Sequence, residues 1–165
     1  MPEAAHQGRG LGIGFAIAGV VLIVDFATKR WIEALLAPGD VVPVTGFFNL
    51  VLTFNPGAAF SFLAGASGWQ REFFIGVALA ASALIAYLLV KHRGELLFCS
   101  ALGLILGGAL GNLWDRVALG HVVDFLDFHA AGYHWPAFNA ADSAITCGAA
   151  LLIWDAFRGH RRGGA

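Results

Sequence analysis

The sequence predicts an all-α membrane protein with four transmembrane helices, a small extracytoplasmic β-cradle and a short interfacial helix. Three observations predict it. Of 165 residues, 58% are hydrophobic and only 13% are charged, and the mean hydropathy is +0.72, whereas a soluble surface of this size needs more charge. Four segments, residues 11–28, 73–90, 96–114 and 139–157, approach the roughly 20 apolar residues that a helix needs to cross the hydrocarbon layer. Between the first two lies a stretch rich in β-branched and aromatic residues, which suits strands rather than a span. The whole chain, residues 1–165, reads as one integral membrane domain.

Met1–Gly10 is a polar leader. The apolar run LGIGFAIAGVVLIV behind Arg9 has the look of a signal-peptide core, but no A-x-A-like site follows it. It is therefore expected to be retained as the first span. Asp25 and Lys29, four apart near its end, can pair along one helix face, with Lys29 snorkelling to the interface and Asp25 fixing the helix end. Pro38-Gly39 breaks the helix, and Val41–Phe54 reads as a hairpin punctuated at Pro43 and Gly46. Asn55-Pro56-Gly57 must turn, and the carboxamide of Asn55 among apolar neighbours suggests a hydrogen bond to a substrate backbone. Ala64–Glu72, ending WQRE, reads as an interfacial helix. Residues 38–72 together suit a cradle and a lid.

The second span ends in a tight connection, Lys91-His92-Arg93-Gly94. The third carries Gly103, Gly107 and Gly111 at intervals of four, with Gly108 beside them. Small residues at that spacing let helices approach backbone to backbone in lipid, so this span is expected at the centre of the bundle. Asn112, Asp115 and Arg116 follow at i, i+3 and i+4, on one helix face. Residues 117–138 form a loop that contains an apolar extended run, Val122–Phe128. Asn139 and Asp142, three apart at the head of the last span, form a capping pair.

Topology follows from the basic residues. With four spans, Arg9, Lys91, Arg93, Arg158, Arg161 and Arg162 fall on one side, which the positive-inside rule makes cytoplasmic together with both termini. Trp31, Trp69, Trp114 and Trp135 then collect at the outer interface, where an aromatic belt is expected. So do Asp124 and Asp142.

Ionisable groups at a membrane edge are costly to keep and are functional candidates by default. Capping accounts for Asp142, but Asp124 sits in an apolar run with no basic neighbour except histidines. If the two carboxylates meet in a low-dielectric site, one holds a proton and the other stays charged. Such a pair supplies a general base for water and a general acid for an amide. Other chemistries have weaker support. Ser61 and Ser143 lack a GxSxG context. His121, Asp127, His129 and His134 show no HExxH pattern or helical histidine pair. Cys99 and Cys147 have no paired spacing and read as small hydrophobes. No metal and no cofactor is expected, and without a basic stripe no nucleic-acid partner. The competing function is a small proton-coupled transporter or channel subunit in which Asp25, Asp124 and Asp142 relay protons. Relays more often place their acids at mid-membrane. A structural scaffold leaves the acids unexplained.

Taken together, DFATK (Asp25–Lys29), NPGAAF (Asn55–Phe60), GGALGNLWDR (Gly107–Arg116), VVDF (Val122–Phe125) and FNAAD (Phe138–Asp142) resemble the five sequence blocks of the bacterial lipoprotein signal peptidases, or signal peptidase II. The resemblance runs from the first span to the last, with the blocks in order. It implies a four-helix aspartic endopeptidase of the inner membrane that acts near its outer face. Such an enzyme removes the signal peptide of a diacylglyceryl-modified prolipoprotein, cutting just before the lipid-modified cysteine. Membrane lipid would be its other partner. By the same resemblance Asp124 and Asp142 are the catalytic dyad. Asn55, Asn112, Arg116 and Asn139 support substrate or dyad, and Asp25, Lys29, Gly108 and Asp115 hold the frame.

Overall fold

The structure, a computed structural model, describes residues 8–57 and 69–162. In chain order the elements are α1 (Arg9–Leu35), β1 (Val41–Thr45), β2 (Phe48–Asn55), α2 (Gln70–Lys91), α3 (Leu96–Ala118), β3 (Val122–Ala130), β4 (Tyr133–His134) and α4 (Ala140–Arg162). All four helices are long and apolar enough to cross a membrane. Leu11 donates its N–H to the carbonyl of Arg93 at 3.2 Å, so the α2–α3 turn lies beside the start of α1. The strands gather at the opposite end.

The third helix is central, as its glycines predict. α3 packs on α1, α4 and α2, and its small residues set the approach. A Cβ on Gly107 would meet the Ala18 carbonyl oxygen at 2.6 Å, and Cβ atoms on Gly103 and Gly108 would strike the carbonyls of Gly14 and Ala141. Ala18, Ile85, Leu89, Cys99, Leu102 and Leu106 form the core between these helices.

The helices outrun their apolar segments. α1 continues to Leu35 rather than residue 28 and α3 to Ala118 rather than 114, while α2 starts at Gln70 rather than 73. Of the expected interfacial helix, residues 64–68 lie outside the described residues, and Gln70–Glu72 form the first turn of α2. Ser61 and the end of the NPGAAF block lie outside them as well. The extension of α1 carries a correction. Lys29 does not snorkel but is 1% exposed, because acids on its own helix and on α3 meet it inside the protein.

The expected hairpin is present, with Val41 paired to Val51 and Pro43 to Asn49. It belongs to a larger sheet. Residues 117–138, expected as a loop, supply β3 and β4, and the antiparallel order is β1-β2-β3-β4. Ala131 (φ 50°) and Gly132 (φ 83°) join the last two strands, the positive angles that a two-residue hairpin turn requires. Val123 and Phe125 of β3, with Leu52 of β2, pack on Ile32 near the end of α1. The sheet is thereby seated on the bundle, and strand alternation sends Asp124 away from that core.

Candidate active site

Two successive N–H groups of β3, those of Phe125 and Leu126, donate to the same Phe138 carbonyl at 3.0 and 2.9 Å. The facing strand also slips register between Leu50 and Thr53. Both are signs of bulged pairing, which bends a strand and re-aims its side chains. The bend brings Asp124 and Asp127, three residues apart, into the lining of one depression. It also sets Phe138 and the head of α4 beside Asp124.

Asn139 is fully buried and ties the two acids together. Its Nδ2 donates to Asp124 Oδ1 at 2.7 Å, and its Oδ1 accepts the backbone N–H of Asp142 at 3.0 Å. Asp142 Oδ2 in turn accepts the backbone N–H of Asn139 at 3.3 Å, the reciprocal pattern of a capping box. The capping expected for Asp142 is therefore present, and it leaves room for a second role. Asp142 Oδ1 accepts from Asn112 Nδ2 at 2.8 Å, and Asp124 Oδ2 accepts from Asn55 Nδ2 at 3.2 Å. Asn55 also closes its own turn, its Oδ1 accepting the N–H of Gly57 at 3.0 Å. Gly57 has φ +123°, an angle that L side chains rarely adopt.

Asp124 and Asp142 line one cavity of about 260 Å³ with Asn55, Arg116, Phe74 and Phe138. Arg116 lies 5.2 Å above the Phe74 ring and donates from Nη1 to the Asn112 carbonyl at 3.2 Å. Asp124 is 2% exposed. Burial, and then the charge of Asp142, push its carboxyl up to about 7 against the pull of Asn55 and Asn139.

Behind the cavity sits a buried ionic cluster. Lys29 Nζ meets Asp25 Oδ2 at 2.7 Å, Asp115 Oδ2 at 2.8 Å and Asn112 Oδ1 at 3.1 Å. Asp25 Oδ1 accepts the N–H of Ala141, next to Asp142, at 2.9 Å. Asp115 Oδ2 accepts the N–H of Val123, next to Asp124, at 3.2 Å. Asn112, Asp115 and Arg116 thus divide their work: the first two face Lys29, and Arg116 faces the cavity. Gly108 lies where α3 meets Ala141.

A further cluster was not legible in the sequence. Asp127, 7% exposed, accepts from Asn49 Nδ2 at 2.7 Å and lies 2.9 Å from His134 Nδ1. Burial pushes its carboxyl up, but the hydrogen bonds from Asn49 and His134 outweigh this and hold it below the usual range. Asn49 could have been found only through its register opposite Asp127. His121 is drawn instead to Phe54, the ring centroids 4.3 Å apart. Among the described residues no group of three or more His, Cys, Asp or Glu could hold a metal ion.

Solved structures share this architecture. One bacterial membrane enzyme superimposes with a TM-score of 0.79 at 36% identity, covering 89% of this chain and 88% of its own. A second gives 0.77 at 36% identity, covering 87% and 92%. Fold and site together define a polytopic membrane protein whose polar centre is built from carboxylates and amides. The sequence model of the Signal peptidase (SPase) II family matches residues 17–158. The lipoprotein signal peptidase of Ralstonia nicotianae is 57% identical over 155 residues, 94% of this chain and 90% of that protein. That of Cupriavidus necator is 58% identical over 160 residues, 97% and 90%. The chain belongs to the signal peptidase II family.

Proposed function

We propose that this protein is a membrane aspartic endopeptidase. It removes the signal peptide from diacylglyceryl-modified prolipoproteins by cutting just before the lipid-modified cysteine. The observation that carries the aspartic assignment is the pair of carboxylates, Asp124 from a strand and Asp142 from a helix, lining one cavity under shared control of Asn139. Nothing in the site favours the proton-relay reading.

In this mechanism the pair shares one proton, and Asp124 carries it. Water enters between the carboxyl groups, Asp142 takes a proton from it, and the hydroxide oxygen attacks the scissile carbonyl carbon. Asp124 gives its proton to the carbonyl oxygen as the tetrahedral intermediate forms. Asp142 then passes the captured proton to the amide nitrogen as the C–N bond breaks, and a hydroxyl of the intermediate gives its proton to Asp124 as the carbonyl re-forms. Arg116 and Asn55, which line the same cavity, orient the substrate backbone. Asn112 and Asn139 hold the carboxylates. Asp25, Lys29, Asp115 and Gly108 keep the strand and the helix that carry them in place.

The chain works as a single multi-pass domain of the bacterial inner membrane. Both termini are cytoplasmic and the sheet end faces outward, following the distribution of Arg9, Lys91, Arg93 and Arg158. The sheet serves as a cradle for the peptide beside the dyad. A substrate held by its own apolar segment and its acyl chains diffuses in two dimensions to the depth of the dyad, so positioning supplies much of the catalysis.

The experiment is cleavage of a diacylglyceryl-modified prolipoprotein by purified protein in detergent. Asp124→Asn and Asp142→Asn should be folded and inactive. Glu95→Gln, which alters an acid beside His92 at the far end of the bundle, should cut normally. Near-normal turnover by Asp142→Asn would reduce Asp142 to a helix cap and end the aspartic reading.

A further inference from the structure

The cavity that holds the dyad does not end at Asp124. A second depression of about 620 Å³ shares Asn55, Asp124, Trp135, Pro136 and Ala137 with it, so the two are lobes of one bent groove. Their chemistry differs. The first lobe adjoins the helices through Phe74, Arg116 and Asp142. The second runs away from them, along Val51–Pro56 of β2 and its turn, to Gly39 and Asp40 on one side and Asp127 and His134 on the other. Among the described residues that line it there are three carboxylates and no lysine or arginine.

Two features fit this lobe to an extended peptide. Among the described residues the β1–β2 register ends at Val41 opposite Val51, and Leu52 is the last to exchange hydrogen bonds with the Gly39–Asp40 segment. Among the described residues Thr53 and Phe54 of β2 are paired only with β3, leaving a sheet edge beside Asp124 of the kind that accepts an added strand. In addition, the bulge at Phe125–Leu126 turns Asp127 into the groove rather than away from it. Strands rise about 3.3 Å per residue, so Asp127 lies roughly 10 Å beyond Asp124, the reach of about three extended residues.

Resting on the peptidase reading above, we propose that the second lobe binds the segment that follows the cleaved bond, and that Asp40 and Asp127 make it a specificity subsite favouring cationic over acidic side chains there. An apolar signal segment would have to be desolvated against the carboxylates of Asp40 and Asp127 in this lobe, whereas the water-soluble chain on the other side of the cut would not. Asp127 keeps its charge on the groove wall through the donors Asn49 and His134. Asp40, which accepts the N–H of Ala37 at 2.8 Å, carries the second charge at the far end.

The test uses the full-length protein in detergent and diacylglyceryl-modified prolipoprotein substrates that differ only in carrying Lys, Gln or Glu at residues two to four after the cleaved bond. Wild type should favour Lys over Glu in kcat/KM by on the order of tenfold, the scale of one like-charge contact near a protein surface. In the Asp40→Asn/Asp127→Asn double variant the ratio should fall within about threefold, whatever its absolute rate. If that variant does not fold, the ratios of wild type and of Asp40→Asn decide. A cleaved Gln substrate with a wild-type Lys/Glu ratio near one overturns the lobe assignment alone, as does a ratio that neither variant changes. Failure to cleave the Gln substrate at all fells the peptidase reading, and the subsite with it.

Discussion

Replacing Asp124 by asparagine should shift stability in the variant's favour relative to wild type as pH rises from 5 to 8, while abolishing cleavage. In the folded protein burial and the Asp142 charge raise the Asp124 carboxyl from 3.8 to about 7. Native protein therefore holds a proton on Asp124 that the unfolded chain has released, over the window from about pH 4 to 7. The stability tied to that proton is complete below pH 4 and is lost as pH rises through 7. A shift of about 3 units at about 1.4 kcal/mol each sets an upper bound of ~4 kcal/mol for the loss. Asparagine has the same shape and cannot ionise, so it lacks this slope. Its own cost, an amide set against the donors of Asn55 and Asn139, does not vary with pH and is on the order of 1–3 kcal/mol. The assay is thermal melting of wild type and variant in one detergent at pH 5, 6, 7 and 8, at fixed heating rate. At roughly 2–4 °C per kcal/mol for a chain of this size, the difference in Tm should swing toward the variant by up to about 10 °C. A difference flat to about 1 °C across the range would mean that Asp124 ionises in the fold without penalty. Its assignment as the acid would then be wrong.

The same carboxyl should appear in kinetics: wild-type kcat/KM should fall as pH rises past about 7, and a profile rising through pH 8 would contradict the acid role. Asp127 has the opposite sign, since its carboxyl is held low. Asp127→Asn should lower Tm at neutral pH, and the loss should shrink only as pH falls below about 4. Lys29→Met, which leaves Asp25 and Asp115 buried without their cation, should cost about 3–5 kcal/mol. Melting should show this as a large drop in Tm, whereas Arg30→Ala, removing a half-exposed cation from the same helix, should cost under about 1 kcal/mol. Gly108→Ala drives a methyl against the Ala141 carbonyl and within 2.7 Å of Ile145 Cγ1. It should lower both Tm and turnover, while Gly12→Ala, with nothing within 4 Å, should be neutral or stabilising by up to about 1 kcal/mol.

The spans, the hairpin, the cap at Asn139 and the central place of α3 were all legible in the sequence because each is written in a local period or spacing. What the sequence hid is long-range. Apolar windows stop at charged residues, so the first span closed at residue 28, although α1 runs on to Leu35 with Lys29 buried. Nothing near Lys29 in sequence shows that Asn112, 83 residues away, accepts a hydrogen bond from it. Val122–Phe128 read as extended, yet the loop around it became two strands because its partner, β2, lies about 70 residues earlier, as the Asn55–Asp124 bond shows. Asp127 could serve as an unremarkable acid until the register placed Asn49 opposite it. The dyad itself was found from residue type and membrane context, with the family resemblance naming its members. Their common cavity was visible only in three dimensions.

The buried cluster around Lys29 explains how so small a sheet can hold a strand-borne acid against a helix-borne one. Each acid is fixed by the donors to its own carboxylate and also by the N–H of the residue before it: Val123 to Asp115 and Ala141 to Asp25. Both of those acceptors meet the same ammonium, and Asn112 joins that ammonium to Asp142 directly. A shift of α1 relative to α3 would therefore move strand and helix together, or break the cluster at a cost of several kcal/mol. Buried ion pairs add little net stability when complete, so burial of Lys29 is poorly explained as a stabilising device. It is well explained as a device for register. The carboxylates of the cluster accept backbone donors from two elements that share no hydrogen-bonded strand pairing, and an apolar core could press those elements together without setting the angle between Asp124 and Asp142.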